Sequence, residues 1–468
     1  MSAPFIWIVL PMAVSLLLLI IRRNFALANL IQVMFCFLMV FFIFITRIEE
    51  RGNAPLIALY LKPSLVVLGR SFVLNESQKF IIGLFYSVLT AWSLVLFIKN
   101  GRSKIVPLGL VLTSLLLAAM AVEPFLYSAL IVEVAMLTGI LIAFSVDTGQ
   151  SKGIVRVLIF YTMGMAFILL AGWYLAGGET SPVNDQQLTQ ASLLLGMGFV
   201  FWLGVFPFHS WIPLIAEESD LPDGTYVLTV LPLAIILILL KYLNGFAWLR
   251  ESQLVYQALF LFGAVMALTG SVWSVFQNRI KKMIGYLTIY FNGLLLIALG
   301  LNSSQGYLIF SELLLPRLLS MFLVMTSLLI IGDRYRLENL ADMRSLFYEF
   351  PFSTMGFLIS LFTMIGMPLS NGFLPLQSLY QATALNHLPI LLIMLCGVGI
   401  LTFSFIRLFM VIMLPIEDDY EIVTQKKSRI EKIVIAVMVI LNVLSGLLPK
   451  VIFPSFAQIM NSFDLLLK

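Results

Sequence analysis

The chain has 468 residues, 61% of them hydrophobic and 11% charged, with a formal net charge of +4 and a mean hydropathy of +1.03. So few charges would not cover the surface of a soluble fold of this size, which excludes a water-soluble globular protein. The two cysteines, Cys36 and Cys396, sit inside apolar runs and read as small buried hydrophobes. With only two histidines there is no disulfide framework, no metal-site spacing and no ligand set for haem or zinc.

Apolar stretches of about 20 residues, enough to cross a hydrocarbon core of roughly 30 Å, recur from end to end. They predict an all-α polytopic membrane protein with about 14 transmembrane helices. The spans begin near Pro4, Phe25, Phe80, Val106, Pro124, Val155, Leu193, Thr225, Leu254, Met283, Tyr307, Phe350, Leu388 and Ile433. The first run ends at Ile21-Arg22-Arg23 without a small-residue cleavage site, so it reads as a span and not as a signal peptide. Val451 to Leu467 reads as a short apolar segment at the surface or packed on a neighbour.

The basic residues orient these spans. With the N-terminus outside, inner loops carry Arg22 and Arg23; Lys99, Arg102 and Lys104; Lys152 and Arg156; Arg279, Lys281 and Lys282; Arg334, Arg336 and Arg344; and Lys426, Lys427, Arg429 and Lys432. The short outer loops carry little beyond Arg250 and Lys450, which predicts both termini outside. The long second loop, Arg47 to Lys79, escapes the rule. Its stretch LIALYLKPSLVVLGRSFVL alternates enough to predict an outer hairpin. One inner loop, IAEESDLPDGT, carries Glu217, Glu218, Asp220 and Asp223 and no base. It reads as a solvated turn, or else as a docking surface or an acidic entrance for protons.

An ionisable group at bilayer depth is costly and needs a protein or water partner. Glu133 lies mid-span in YSALIVEVAMLTGILIAF, where a carboxyl favours its neutral form and suits a proton carrier. Arg317 lies mid-span in LIFSELLLPRLLSMFLVM, directly after Pro316. Glu312 is five residues earlier, not quite on the same helical face. Arginine holds its charge, so Arg317 is an electrostatic element or a member of an interhelical ion pair. Lys241 and Arg407 lie near span ends, where snorkelling is the default. His209 follows a proline and is either water-facing or a buried, hydrogen-bonded ring.

Two spans are broken: FWLGVFPFHSWIP at Pro207, and GMPLSNGFLPLQSLY at Pro368 and Pro375. Interrupted helices at membrane depth recur at ion sites, often at matching places in two inverted repeats. The breaks here are about 160 residues and five spans apart, the spacing of two five-helix repeats.

These stretches resemble the antiporter-like membrane subunits of respiratory complex I (NADH:quinone oxidoreductase), related membrane-bound hydrogenases and Mrp cation/proton antiporters. VFPFHSWIP resembles that family's Q-F-P-L-H-x-W-L-P; NRIKKMIGYLTIYFNG, from Asn278, resembles D-I-K-R-x-L-A-Y-S-S-I-x-x-x-G. YSALIVEVAML resembles the helix bearing the family's glutamate, and GMPLSNGFLP resembles G-x-P-x-x-x-G-F. The resemblance runs from about Val73 to Thr383 and implies two inverted five-helix repeats, each with a broken helix. It divides the chain into N-terminal helices with the outer hairpin (1–105), a first repeat (106–245), a second repeat (246–415) and a C-terminal helix with a surface segment (416–468).

The resemblance also implies a midplane chain of charged residues, and this chain departs from it. Glu133 stands at the glutamate position and Arg317 at a lysine position. Trp202 stands where the lysine paired with the glutamate is expected. Leu228 stands at the central lysine or histidine, and Leu376 at the lysine or glutamate of the second broken helix. The expected function is a membrane-arm subunit of a complex I-related, redox-driven or Mrp-like assembly whose own proton path is degraded. What remains of the path would be a modified half-channel around Glu133, Glu312 and Arg317. One alternative is an active proton- or sodium-translocating subunit with a rewired path that uses Lys241, His209 and charges supplied by lipid or partners. Another is a stand-alone secondary transporter. Expected partners are other membrane-arm subunits, the lipid bilayer and a soluble redox module, with no nucleic acid. No cofactor and no metal are expected on this chain. The expected location is a prokaryotic cytoplasmic membrane.

Overall fold

The apolar runs fold as helices because a backbone in hydrocarbon must satisfy its own hydrogen bonds. A computed structural model describes residues 1–49, 59–99, 101–144, 152–176, 185–332, 338–415 and 429–467. Arg334, Arg336, Lys426 and Lys427 lie outside the described residues. Among the described residues, ten helices are long and apolar enough to cross a membrane. Four shorter apolar helices, Phe5–Ile21, Ile105–Ala121, Ser128–Ala143 and Pro351–Met364, bring the set to fourteen. Their starts follow those expected from the sequence to within a few residues, except that the seventh span begins earlier, near Gln186.

In chain order the helices are α1 (Phe5–Ile21), α2 (Phe25–Ile45), α3 (Lys79–Lys99), α4 (Ile105–Ala121), α5 (Ser128–Ala143) and α6 (Lys152–Ala176). Then come α7 (Asp185–Leu203), α8 (Trp211–Glu218), α9 (Leu221–Gly245), α10 (Gln253–Val275), α11 (Ile280–Gly300) and α12 (Ser304–Gly332). The series closes with α13 (Pro351–Met364), α14 (Phe373–Asn386), α15 (Leu388–Met413), α16 (Arg429–Leu447) and α17 (Pro449–Ala457). Two runs of five segments stand out, α4 to α9 and α10 to α15, and in each the fourth segment is interrupted. The interruptions separate α7 from α8 and α13 from α14. Each turns through a glycine with positive φ, Gly204 at 66° and Gly366 at 73°, a conformation an L side chain resists. Pro368 lies in the second interruption. Pro375, expected there too, lies instead in the first turn of α14, where the missing N–H breaks no helical bond.

The chain divides into two compact units. The first holds Met1–Trp211, Tyr226–Val255 and Gln458–Lys468; the second holds Ile212–Thr225 and Tyr256–Ala457. In the first unit the expected hairpin forms: Ser64–Val67 pairs antiparallel with Arg70–Val73, and the latter also pairs with Val122–Glu123. Its turn is Leu68-Gly69, both with positive φ, the geometry that matches strand twist. The terminal turn Gln458–Leu466 buries Ile459, Met460 and Phe463, and Ser462 Oγ donates to the Ser77 carbonyl at 2.9 Å.

In the second unit α10 and α11 touch backbone to backbone. A Cβ on Gly263 would meet the Gly293 carbonyl oxygen at 2.7 Å, and one on Gly293 the Gly263 oxygen at 2.6 Å. Small residues let helices approach where dispersion, not water exclusion, drives packing. The loop IAEESDLPDGT is no solvated turn. Glu217 bonds Arg279 and, at 2.8 Å, Lys282, while Glu218 and Asp223 are buried. Of the four acids only Asp220 is exposed, which leaves little acidic surface for docking or proton entry. Of the cysteines, Cys36 is buried and Cys396 is exposed, so the reading as a buried hydrophobe holds for Cys36 alone.

Candidate functional site

The first unit gathers Glu133, the first broken helix and α6. Tyr161 and Thr162, adjacent on α6, divide the work between them. Thr162 Oγ1 donates to Glu133 Oε1 at 2.7 Å, on an exposed face of the unit; Glu133 Oε2 is buried without a hydrogen-bond partner. Tyr161 serves Trp202. The Trp202 indole Nε1 donates to the Tyr161 carbonyl at 3.0 Å, and the Tyr161 hydroxyl donates to the Trp202 carbonyl at 3.2 Å. Their rings stack at 6.1 Å and 21°, and Phe199 meets the indole edge-on at 5.8 Å.

The indole has a seat made for it. A Cβ on Gly164 would lie 2.5 Å from Trp202 Cδ1 and Nε1, and one on Gly198 would lie 3.0 Å from the Gly164 carbonyl oxygen. Two glycines thus bring α6 and α7 together and leave a hollow that the ring fills. Trp202 has no exposed surface, and its one polar hydrogen is used. The Trp202 position therefore offers neither charge nor room for a water, which needs space and two or more polar partners. Leu228, within α9, is likewise buried and apolar.

The structure does not gather the remaining candidates of the first unit around Glu133. Lys241 Nζ donates to the Met120 carbonyl at 2.6 Å. Met120 is in the last turn of α4, whose carbonyls have no helical partner, so the ammonium caps the negative end of that helix. His209 lies in the short turn Phe208–Ser210, buried and stacked on Phe206 at 5.5 Å and 26°.

In the second unit Arg317 is 1% exposed on α12. Its Nη1 and Nη2 have no hydrogen-bond partner, and no carboxylate among the described residues pairs with it. Glu312, half-buried on the same helix, does not reach it, because five residues of helix turn the two side chains well apart. The described residues of this chain thus supply no ion-pair partner for Arg317. Other polar groups of this unit are buried and unmatched: both amide atoms of Asn292, both of Asn371, and Ser320 Oγ. The Tyr290 and Tyr380 hydroxyls approach each other without reaching hydrogen-bond geometry. Leu376, on α14, is buried against Gly366: a Cβ there would meet Leu376 Cδ1 at 2.8 Å. Asn371, at the break, went unnoticed in the sequence. Its signal was the only amide in GMPLSNGFLP. Tyr161 and Thr162 had no signal beyond adjacency in an apolar run.

Comparison with known proteins adds to this geometry. The family described as NADH:quinone oxidoreductase/Mrp antiporter, transmembrane, matches residues 121–402, more than half of the chain. NADH-quinone oxidoreductase subunit N of Chromohalobacter salexigens is 27% identical over 210 residues, 43% of this chain and 40% of that one. The subunit N of Acinetobacter baumannii is 26% identical over 261 residues, 53% of this chain and 52% of that one. The chain thus spans about half or less of the length of the curated relatives it matches. Among solved structures, a chain of the Mrp complex from a Dietzia species superposes with a TM-score of 0.79 at 12% identity, covering 100% of this chain and 99% of the other. A chain of respiratory complex I from Thermus thermophilus gives 0.75 at 16% identity, with 99% of each covered. At such identities the likeness is one of fold.

Proposed function

The chain belongs to the NADH:quinone oxidoreductase/Mrp antiporter transmembrane family, and from that premise we propose that it is a membrane-arm subunit of a multi-subunit, complex I-related or Mrp-like assembly whose own proton path is interrupted in its first repeat. The observation that carries the reading is the seat of Trp202. A buried, hydrogen-bonded indole occupies the position where the family resemblance puts the lysine partner of the glutamate. Glu133 Oε1 accepts instead from the Thr162 hydroxyl. With an indole in place of an amine, that position offers no base to exchange a proton with Glu133. In this reading the subunit supplies fold and interfaces; redox chemistry belongs to partners, a soluble redox module among them. Its place is a prokaryotic cytoplasmic membrane with both termini outside, in keeping with the distribution of basic residues.

The test is the number of ions pumped per electron by the assembly in proteoliposomes, wild type against Glu133→Gln. An unchanged ratio with an intact assembly supports an interrupted path. A clear loss overturns it.

A second reading, an active path rewired through the second repeat, is favoured by Arg317, Asn292 and Asn371, which the protein buries without partners. Buried polar groups of that kind are where internal water is held, and a hydrated arginine is a field source beside a proton wire. Arg317→Gln that keeps assembly but lowers pumping would favour it. A monodisperse, partner-free chain that transports a solute would instead favour a stand-alone transporter.

A further inference from the structure

The first unit carries a cluster of cations in two loops. Arg22 and Arg23 lie in the turn between α1 and α2; Lys99, Arg102 and Lys104 lie between α3 and α4. Neither loop holds an acid, and no acid occurs from Met1 to Ile48 or from Lys79 to Val122. The structure puts the two loops side by side. The Arg102 guanidinium lies 5.0 Å over the ring of Phe25, the residue that begins α2, and Asn29 Nδ2 donates to the Gly101 carbonyl at 3.2 Å. Lys104 Nζ lies 5.3 Å over the ring of Phe144.

Several other cations among the described residues are matched. Arg279 and Lys282 bond Glu217, Lys79 bonds Glu76, and Lys241 and Lys281 bond backbone carbonyls. Arg22 and Arg23 are exposed and have no carboxylate among the described residues. Directly beside them, exposed apolar side chains run down α1 and α2: Leu16 at 63%, Ile20 at 77% and Met34 at 63%.

We propose that these two loops form a headgroup site for an anionic phospholipid, the arginines holding the phosphodiester and the exposed faces of α1 and α2 receiving the acyl chains. Guanidinium forks match phosphate oxygens, and each basic residue near a membrane surface adds to the attraction for anionic lipid. A bare topology signal needs only the number of charges. It does not need Arg102 fixed over Phe25, which is what joins the loops into one site. A free phosphate would use the arginines but not the apolar faces.

The test is native mass spectrometry of the intact assembly, titrated with phosphatidylglycerol, with phosphatidylcholine and inorganic phosphate as controls. Phosphatidylglycerol should be retained, phosphatidylcholine should not, and tenfold excess inorganic phosphate should not displace the lipid. Arg22→Gln with Arg23→Gln should weaken retention by about fivefold per arginine. Phe25→Leu keeps every charge and should weaken it about threefold. Charge removal can reorient a span, so labelling of a Leu68→Cys reporter checks orientation; where it changes, the Phe25 variant decides. Equal retention by wild type and Phe25→Leu, or displacement by inorganic phosphate, would overturn the proposal.

Discussion

The two interrupted helices share a backbone device and differ in everything around it. Each turns at a glycine with positive φ and a proline two or three residues later. Around the first, the side chains are aromatic: Phe199, Phe201, Trp202, Phe208 and Trp211 pack on one another and on α6. Every polar hydrogen of Trp202 and Tyr161 is used there. Around the second, and on the α11 and α12 helices of the same unit, buried amides, hydroxyls and a guanidinium lack partners. Trp211 Nε1 at the first break is also buried without a hydrogen-bond partner, so the difference is one of degree: the first break is the more aromatic and tightly packed, the second unit the richer in buried polar groups. The backbone break alone therefore says little about conduction; the side chains around it decide whether water has a reason to stay.

The contrast can be broken from either side. The largest effect is expected from Trp202→Lys, which buries an ammonium against the Tyr161 and Phe199 rings. An unpaired buried charge costs several kcal/mol, so the variant should fail to accumulate in membranes; normal yield and pumping would show that the first break is not tightly packed. Trp202→Ala leaves a cavity beside Gly164 and should cost about 3–5 kcal/mol, read as earlier loss of the assembly on heating. Arg317→Met should act oppositely. Removing an unpaired buried charge should leave thermal stability unchanged or raise it by about 1–4 kcal/mol, and a large loss would mean that a partner satisfies the guanidinium. Thr162→Val takes the hydrogen bond from Glu133 and should cost about 1 kcal/mol, whereas Glu133→Gln keeps an acceptor and should cost less. The smallest effect is expected from Lys241→Met, about 0.3–1 kcal/mol for a lost helix-end cap. If it abolishes pumping without unfolding, Lys241 is more than a cap.

Much of the fold was legible because the bilayer fixes span length and backbone satisfaction. The fourteen starts, the hairpin after Arg47 and the paired breaks all follow from hydropathy, alternation and proline. The site was less legible, because partners across helices leave no trace in local sequence. Lys241 read as a snorkelling lysine and proves to cap α4 through Met120, contact made 121 residues away in sequence. Glu217 looked solvated because its bases, Arg279 and Lys282, lie 62 and 65 residues on. Trp202 was legible as a missing charge, but its hollow was not: nothing in FYTMGMAF marks Gly164 as the floor of a ring's seat.

The seat of Trp202 has a consequence for repair. Ring and glycine fit as a pair, so replacing Trp202 alone by a smaller or charged residue leaves a hollow lined by Gly164 and Gly198 and takes the indole hydrogen bond from the Tyr161 carbonyl. The Glu133 carboxylate oxygen Oε1 is already engaged by the Thr162 hydroxyl. A lysine at this position would therefore need matching changes on α6 and α7 to be accommodated, so the indole, Gly164 and Gly198 constrain one another as a set.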